Sequence, residues 1–437
     1  MRIGIWFILL LLPSFNFAQI KSVRLDEATA TNQVCQPAIV INKKNPNNII
    51  AASSLDNIYF TLDGGGTWQS LKIKSSGGVN GDPVLVSDDK GNIFAFHLSD
   101  PSGEGPANER FMNQILCHIS KDGGKTWEEG AAFGTVQKDN TNPWATVDSK
   151  GNVWVAWTQL DKYKSDDENC QSNILLTSSA NGKKWSKPLQ IAQTPGNCKD
   201  DDNTAIGALP AFTLDGKAFV AWANQNKLFL DRSFNGGGLW LTNDIAVVNQ
   251  PGGWDLTIPG HSRSCGRPVL MIDQSKSIFQ GSLYMTWADQ RNGESDTDVW
   301  FIRSTNFGDN WSAPIKLGDD ENKRHQYLPW MTVDQTTGYI YVIFYDRAPY
   351  DDNQTDVCLA YSIDGGLNFK TVKLSESPFT PMDSQLFGNY INISAHKGVI
   401  TPIWTRLDDG KTSIWTSIIK QADLIQVPQA ARSKKKK

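Results

Sequence analysis

The chain has 437 residues, 39% of them hydrophobic and 10% aromatic, with a formal net charge of −4. Such a composition excludes a disordered or low-complexity chain, and the acidic balance offers no net basic surplus to attract nucleic acid. The length is more than one ordinary core can bury unless a repeat architecture spreads the burial over smaller units.

The first 18 residues, MRIGIWFILLLLPSFNFA, carry one arginine, an apolar run from Ile3 to Leu12, then small and polar residues. This is the shape of a secretory signal with cleavage after Ala18. The run is too short to span a membrane comfortably, and no later segment is longer and apolar. The mature chain is therefore expected to be exported, outside the cytoplasm and without a transmembrane segment. It should run as one domain over 19–425, followed by a basic tail over 426–437 that ends in four lysines. Export permits disulfides. Of the six cysteines, Cys170 and Cys198 lie in polar loops and are the favoured bridge, whereas Cys117 and Cys358 sit in strand-like runs as buried thiols. No cysteine spacing suits zinc.

After a first strand-like run, IKSVRLD (20–26), one unit recurs to the end of the chain. It opens on a proline before an alternating apolar run: QPAIVIN (36–42), DPVLVS (82–87), NPWATVD (142–148), LPAFTLD (209–215), RPVLMID (267–273) and LPWMTVD (328–334), with NYINIS (389–394) lacking the proline. A second apolar run follows each, then a third. The third ends in a turn phrase: TLDGGGTW (61–68), SKDGGKTW (120–127), SSANGKKW (178–185), SFNGGGLW (233–240), STNFGDNW (304–311) and SIDGGLNF (362–369). The third place holds Asp63, Asp122, Asp364, Asn235, Asn306 or Ala180, and the fifth is always glycine. Asp or Asn would cap backbone amides, glycine would supply positive φ, and the aromatic would fold back over the hairpin.

Four strands per unit and seven units, starting near 35, 81, 141, 208, 266, 327 and 388, predict an all-β, seven-bladed β-propeller with few helices. The last unit has no turn phrase and no obvious fourth strand. The spare N-terminal strand is expected to pair with it and close the ring, removing exposed edges. Six blades is the alternative.

The six phrases resemble the Asp boxes, or BNR repeats, of the sialidase superfamily, over essentially the whole mature chain. The resemblance implies a machine in which three arginines grip a substrate carboxylate, a tyrosine activated by glutamate attacks, and an aspartate serves as acid/base. By position it maps arginine roles onto Arg291 in WADQR, Arg347 in FYDR and Arg406 in WTR, and the nucleophile onto Tyr390 in GNYINI. Two parts depart from the pattern: Cys35 stands where the first arginine belongs, and the stretch SCGRPV lacks the expected glutamate.

Long polar loops are expected on the face opposite the capped turns, where sites on rigid scaffolds usually lie. They nominate Asp82, Asp289 and Asp346 as acid/base carboxylates. Arg267, Arg291, Arg347 and Arg406 are candidates for binding an acidic sugar, with Trp144, Trp254 and His325 as stacking or polar contacts. Asp200, Asp201, Asp202 and Asn203 offer hard oxygen ligands to calcium but lack EF-hand spacing, so no metal or cofactor is expected. The resulting expectation is a monomeric, exported, glycan-active protein, a glycoside hydrolase acting on an acidic glycan at the central funnel. The alternative is a non-catalytic carbohydrate-binding or protein-interaction propeller.

Overall fold

The strand-like runs pair in the order in which they occur. In the computed structural model the third unit forms a sheet of Asp139–Val147, Val153–Leu160, Ser172–Ser179 and Leu189–Gln190, each strand antiparallel to the next. Five further sheets repeat this meander, with first strands Ala38–Ile41, Gly81–Ser87, Ile206–Phe212, Val269–Ile272 and Gln326–Asp334. The structure describes residues 20–425 apart from 31, 33, 106–110, 319–322 and 385–386. The expected signal segment and basic tail lie outside the described residues.

The seventh sheet runs Asn392–His396, Val399–Asp408, Lys411–Ser417, and its outermost strand is Ser22–Glu27 from the chain start, with Ser22 opposite Ser417. The ring closes at its inner edge as well, where the amides of Ile39 and Ile41 donate to Asn392 Oδ1 and Ser394 Oγ at 3.3 and 3.1 Å. The fold is therefore a seven-bladed β-propeller, and the six-bladed alternative is set aside. Among the described residues the α-helix is confined to Gln421–Leu424. Second strands such as Ala218–Asn224 and Leu283–Asp289 are buried along their whole length, because blades pack on both of their faces.

The capped turns follow the expected chemistry. Asp63 accepts from the Thr67 amide at 2.9 Å and from the Thr67 and Thr61 hydroxyls at 2.7 Å, and Asp122 repeats the pattern with Thr126 and Ser120. The third turn departs from the sequence alignment. Val153 pairs with Ser179 just as Ile49 pairs with Thr61, so this turn is one residue shorter and Asn181, not Ala180, takes the capping place. The fifth-place glycine has a second duty: a Cβ there would lie against the preceding blade, 3.2 Å from Ile50 and Phe60 for Gly124 and 2.6 Å from Leu230 for Gly308. The fourth place, which meets no such wall in the fifth turn, carries Phe307 at a φ of +59°.

Candidate functional site

The capped turns and the first-to-second-strand turns share one face, as contacts such as the Gly64 amide on the Asn47 carbonyl at 2.8 Å show. The opposite face holds the long loops, and there the chain enters each first strand through an unusual backbone. Gln36, Asp82, Asn142 and Leu328 all precede a proline and all sit in the left-handed region, at φ of 51, 50, 50 and 49°. Non-glycine residues avoid this region, and four at equivalent places in four blades mark stored strain of the kind that accompanies sites. In blades two, three and six the register slips at that point.

The bulges aim a ring of polar side chains at the axis. Gln36 Nε2 donates to Asp82 Oδ1 and to Asn389 Oδ1, both at 3.1 Å. Arg267 Nη2 reaches the Asn389 carbonyl at 3.1 Å, while its buried Nη1 finds no hydrogen-bond partner among the described residues. Above this floor opens a cleft of about 350 Å³ lined by Asp82, Asn142, Tyr163, Asp200, Arg263 and Arg267. Asp82 is partly open to it. Burial raises the Asp82 carboxyl above the usual carboxylate range, against the pull of the Arg267 guanidinium and the Asn142 amide, and Asp200 adds to the rise.

One wall of the cleft is the hairpin Asp255–Ile258 and His261–Cys265, inserted between the fourth and fifth blades. Its Arg263 binds Asp255 Oδ1 at 3.0 Å and Asp200 Oδ1 at 2.9 Å, and lies over the Trp254 ring. Tyr163 completes the group by donating to Asp200 Oδ2 at 2.7 Å. The Cys170–Cys198 disulfide, with Cα atoms 5.6 Å apart, holds the loop that carries Asp200. Of the four residues read as calcium ligands, Asp200 is engaged by Arg263 and Asp202 by the Asp255 amide. Among the described residues no group of three or more His, Cys, Asp or Glu is arranged to hold a metal.

Below the floor the axis is stoppered. The Trp144 and Trp330 rings meet at 4.1 Å between centroids and Tyr390 packs edge-on against Trp144 at 5.1 Å. The Tyr390 hydroxyl donates to the Pro83 carbonyl at 3.2 Å, and burial, then Asp82 and Cys35, holds the phenol well above its ordinary pKa.

The structure thus brings Asp82, Arg267, Trp254, Trp144 and Tyr390 to the mouth of the axis or directly beneath it. The remaining nominees sit in the hairpins that carry them. Arg291 pairs with Asp289 at 2.6 Å and covers Trp300, and Asp289 also accepts from Trp287. Arg347 is buried, donating to Thr355 Oγ1 and the Pro259 carbonyl. Arg406 is held by Asp408 and the Ser377 carbonyl, Asp346 accepts from the Ala348 amide, and His325 Nδ1 faces Thr297. Sequence reasoning missed Gln36, Asn142, Tyr163, Arg263 and Asn389. For the first two a signal exists: both immediately precede the proline that opens a first strand.

No protein-family model matches the chain and no curated protein matches it in sequence. Solved structures do share its architecture. It is similar to an ulvan lyase, a polysaccharide lyase bound to -[GlcA(1-4)Rha3S]-, with 14% identity, 92% of this chain and 96% of that chain covered, and a TM-score of 0.56. It is similar to a protein of unknown function from Dyadobacter fermentans (11%, 89% and 98%, TM-score 0.53). A third is an alpha-L-arabinofuranosidase from Fusarium graminearum in complex with an iminosugar inhibitor (11%, 92% and 98%, TM-score 0.52). At these identities the likeness is one of overall fold.

Proposed function

We propose that the cleft at the axial mouth binds an acidic glycan, with Arg267 gripping a sugar carboxylate and Asp82 serving as acid/base. The supporting observation is the pairing itself. Arg267 offers an unpartnered buried N–H pair beside a carboxyl whose proton affinity is raised, whereas Arg291, Arg347 and Arg406 spend theirs on neighbouring protein oxygens. An unpaired guanidinium N–H is costly to bury and fits a carboxylate oxygen. A carboxyl that keeps its proton to higher pH suits proton donation at a glycosidic oxygen. In this reading Tyr390 is a support beneath Asp82 rather than a nucleophile, and the other arginines, Asp289, Asp346 and His325 shape the loops. Similarity in fold to an enzyme that holds -[GlcA(1-4)Rha3S]- is compatible with an anionic sugar chain here. The site of action would be outside the cytoplasm, in keeping with the disulfide beside the cleft.

A second reading, binding without turnover, is favoured by one observation. The other carboxylate of the cleft, Asp200, is tied to Arg263 and Tyr163, so Asp82 has no free partner for two-carboxylate hydrolysis.

The test is a panel of uronic-acid glycans, sialosides and neutral glycans, read for both binding and product, with Asp82→Asn and Arg267→Met alongside. The proposal expects acidic glycans to bind, Arg267→Met to lose binding, and Asp82→Asn to keep binding while losing product. Binding that never yields product selects the second reading. Equal affinity for neutral glycans, or indifference to Arg267→Met, overturns the site.

A further inference from the structure

The face that carries the capped turns has chemistry of its own, remote from the cleft. On blades four to six it projects six large apolar side chains. Ile278 is 93% exposed, Leu239 75%, Phe234 55%, Leu367 53%, Leu214 50% and Ile363 48%. They are linked into one arc: Phe234 packs on Phe307 at 6.0 Å between centroids, Phe307 lies against Gly281 in the turn that carries Ile278, and Phe279 lies against Gly365, between Ile363 and Leu367. Soluble proteins seldom leave such a run of large apolar groups to water.

On blades one to three the same face carries mainly lysines, with Leu62 exposed among them, as Lys276 is beside Ile278 in the apolar arc. Lys44, Lys90, Lys125, Lys150 and Lys184 are exposed and none makes an ion pair among the described residues. With Lys43, Lys121 and Lys183 these turns carry eight lysines against six carboxylates, Asp63, Asp88, Asp89, Asp122, Asp148 and Glu128. Asp63 and Asp122 cap their turns, Asp89 faces Lys43 at 3.3 Å, and Glu128 is shared by Lys121 and Lys183. An otherwise acidic chain therefore turns a locally cationic half-face and an apolar half-face in one direction.

We infer that this face docks peripherally on an anionic lipid surface, the apolar arc entering the headgroup boundary while the lysines meet lipid phosphates and carboxylates. Charge complementarity selects this occupant. A second copy of the chain would bring cationic half-face against cationic half-face or leave one half uncovered. A lipid surface accepts both halves at once, because amphipathic docking combines shallow apolar insertion with attraction to anionic headgroups. No helix among the described residues is long and apolar enough to cross a membrane. The geometry has a functional consequence: the cleft opens on the opposite side, away from the lipid and towards any glycan in solution.

The experiment is co-sedimentation of the full chain with vesicles of phosphatidylcholine alone and of phosphatidylcholine with phosphatidylserine. It is run at low and high salt with two surface variants, Leu239→Ser/Ile278→Ser and Lys125→Glu/Lys184→Glu. Expected is binding to the anionic vesicles only, weakened by salt, falling by more than about fivefold for each lysine reversed to glutamate and falling also in the apolar variant. Unchanged circular dichroism and unfolding midpoint establish that both variants are folded. Failure to bind anionic vesicles overturns the inference. So does binding indifferent to the apolar variant, or a concentration-dependent dimer that the apolar variant abolishes, which would make the arc a self-interface.

Discussion

The fifth-place glycine of each capped turn is asked for two things, and substitution separates them. Gly366 has a φ of +78°, and a Cβ built on it falls 2.5 Å from Cε1 of Phe301. Phe301 belongs to the preceding blade, is wholly buried, and is fixed edge-on by Phe369 at 4.9 Å, so it has nowhere to retreat. The fourth-place glycine of the first turn, Gly64, has a nearly equal φ of +72°, but its added Cβ would meet only Asn47 Oδ1, at 3.4 Å. Replacing either glycine by alanine incurs the left-handed strain, about 1 to 2 kcal/mol. Gly366→Ala adds overpacking, typically about 1 to 3 kcal/mol, so its total should be about 2 to 5 kcal/mol. Urea unfolding followed by tryptophan fluorescence measures both, with the midpoint shift read at constant slope. If the two variants lose equal stability within about 0.5 kcal/mol, the glycine serves only the turn, and the account of blade packing given above is wrong.

Three further outcomes are expected. His97 is buried with its Nε2 3.0 Å from that of His118, near Glu129, and burial holds its pKa down to about 4. The unfolded chain therefore binds the proton first, and stability is lost as pH falls from about 6.5 towards 4, by up to about 3 kcal/mol at this residue. His97→Leu should flatten that part of a urea-midpoint-against-pH curve, and an unchanged slope would refute the assignment. Replacing Cys170 and Cys198 by serine opens a loop with a sequence separation of 28 residues, an expected loss of about 3 to 4 kcal/mol by chain entropy. It should weaken glycan binding too, since Asp200 and Arg263 share that wall; calorimetry and binding isotherms check the two effects separately. Trp144→Ala removes half of the axial stopper, and a buried indole lost to a cavity should lower stability by about 3 to 5 kcal/mol in chemical unfolding.

How far the sequence could be read follows from what each feature depends on. Blade number and ring closure depend on local pattern: a period of strands with a proline at one end and a capped turn at the other, repeated six times and followed by a seventh unit that lacks both, is visible without coordinates. The disulfide was legible for a related reason, two cysteines in polar loops of a chain expected from its sequence to be exported. The floor of the cleft was only half legible. Asp82 and Arg267 announce themselves by preceding a proline at a strand start, yet that same position is filled by Gln36, Asn142 and Leu328, and only the left-handed backbone at Gln36, Asp82, Asn142 and Leu328 shows that it is a special place. Arg263 and Asp200 were not legible as a pair at all, because they meet through an inserted hairpin and a stapled loop whose path no periodicity encodes. The arginines carried over from the sialidase pattern show the reverse. Arg291 and Arg406 each have an aspartate two residues away that reaches their guanidinium. A spacing that looks like a substrate clamp when strung along a sequence is, in a tight hairpin, also the geometry of an internal ion pair. An arginine predicted to bind substrate is therefore best judged by what is left over after its neighbours have been satisfied, and by that measure the residue to follow is Arg267.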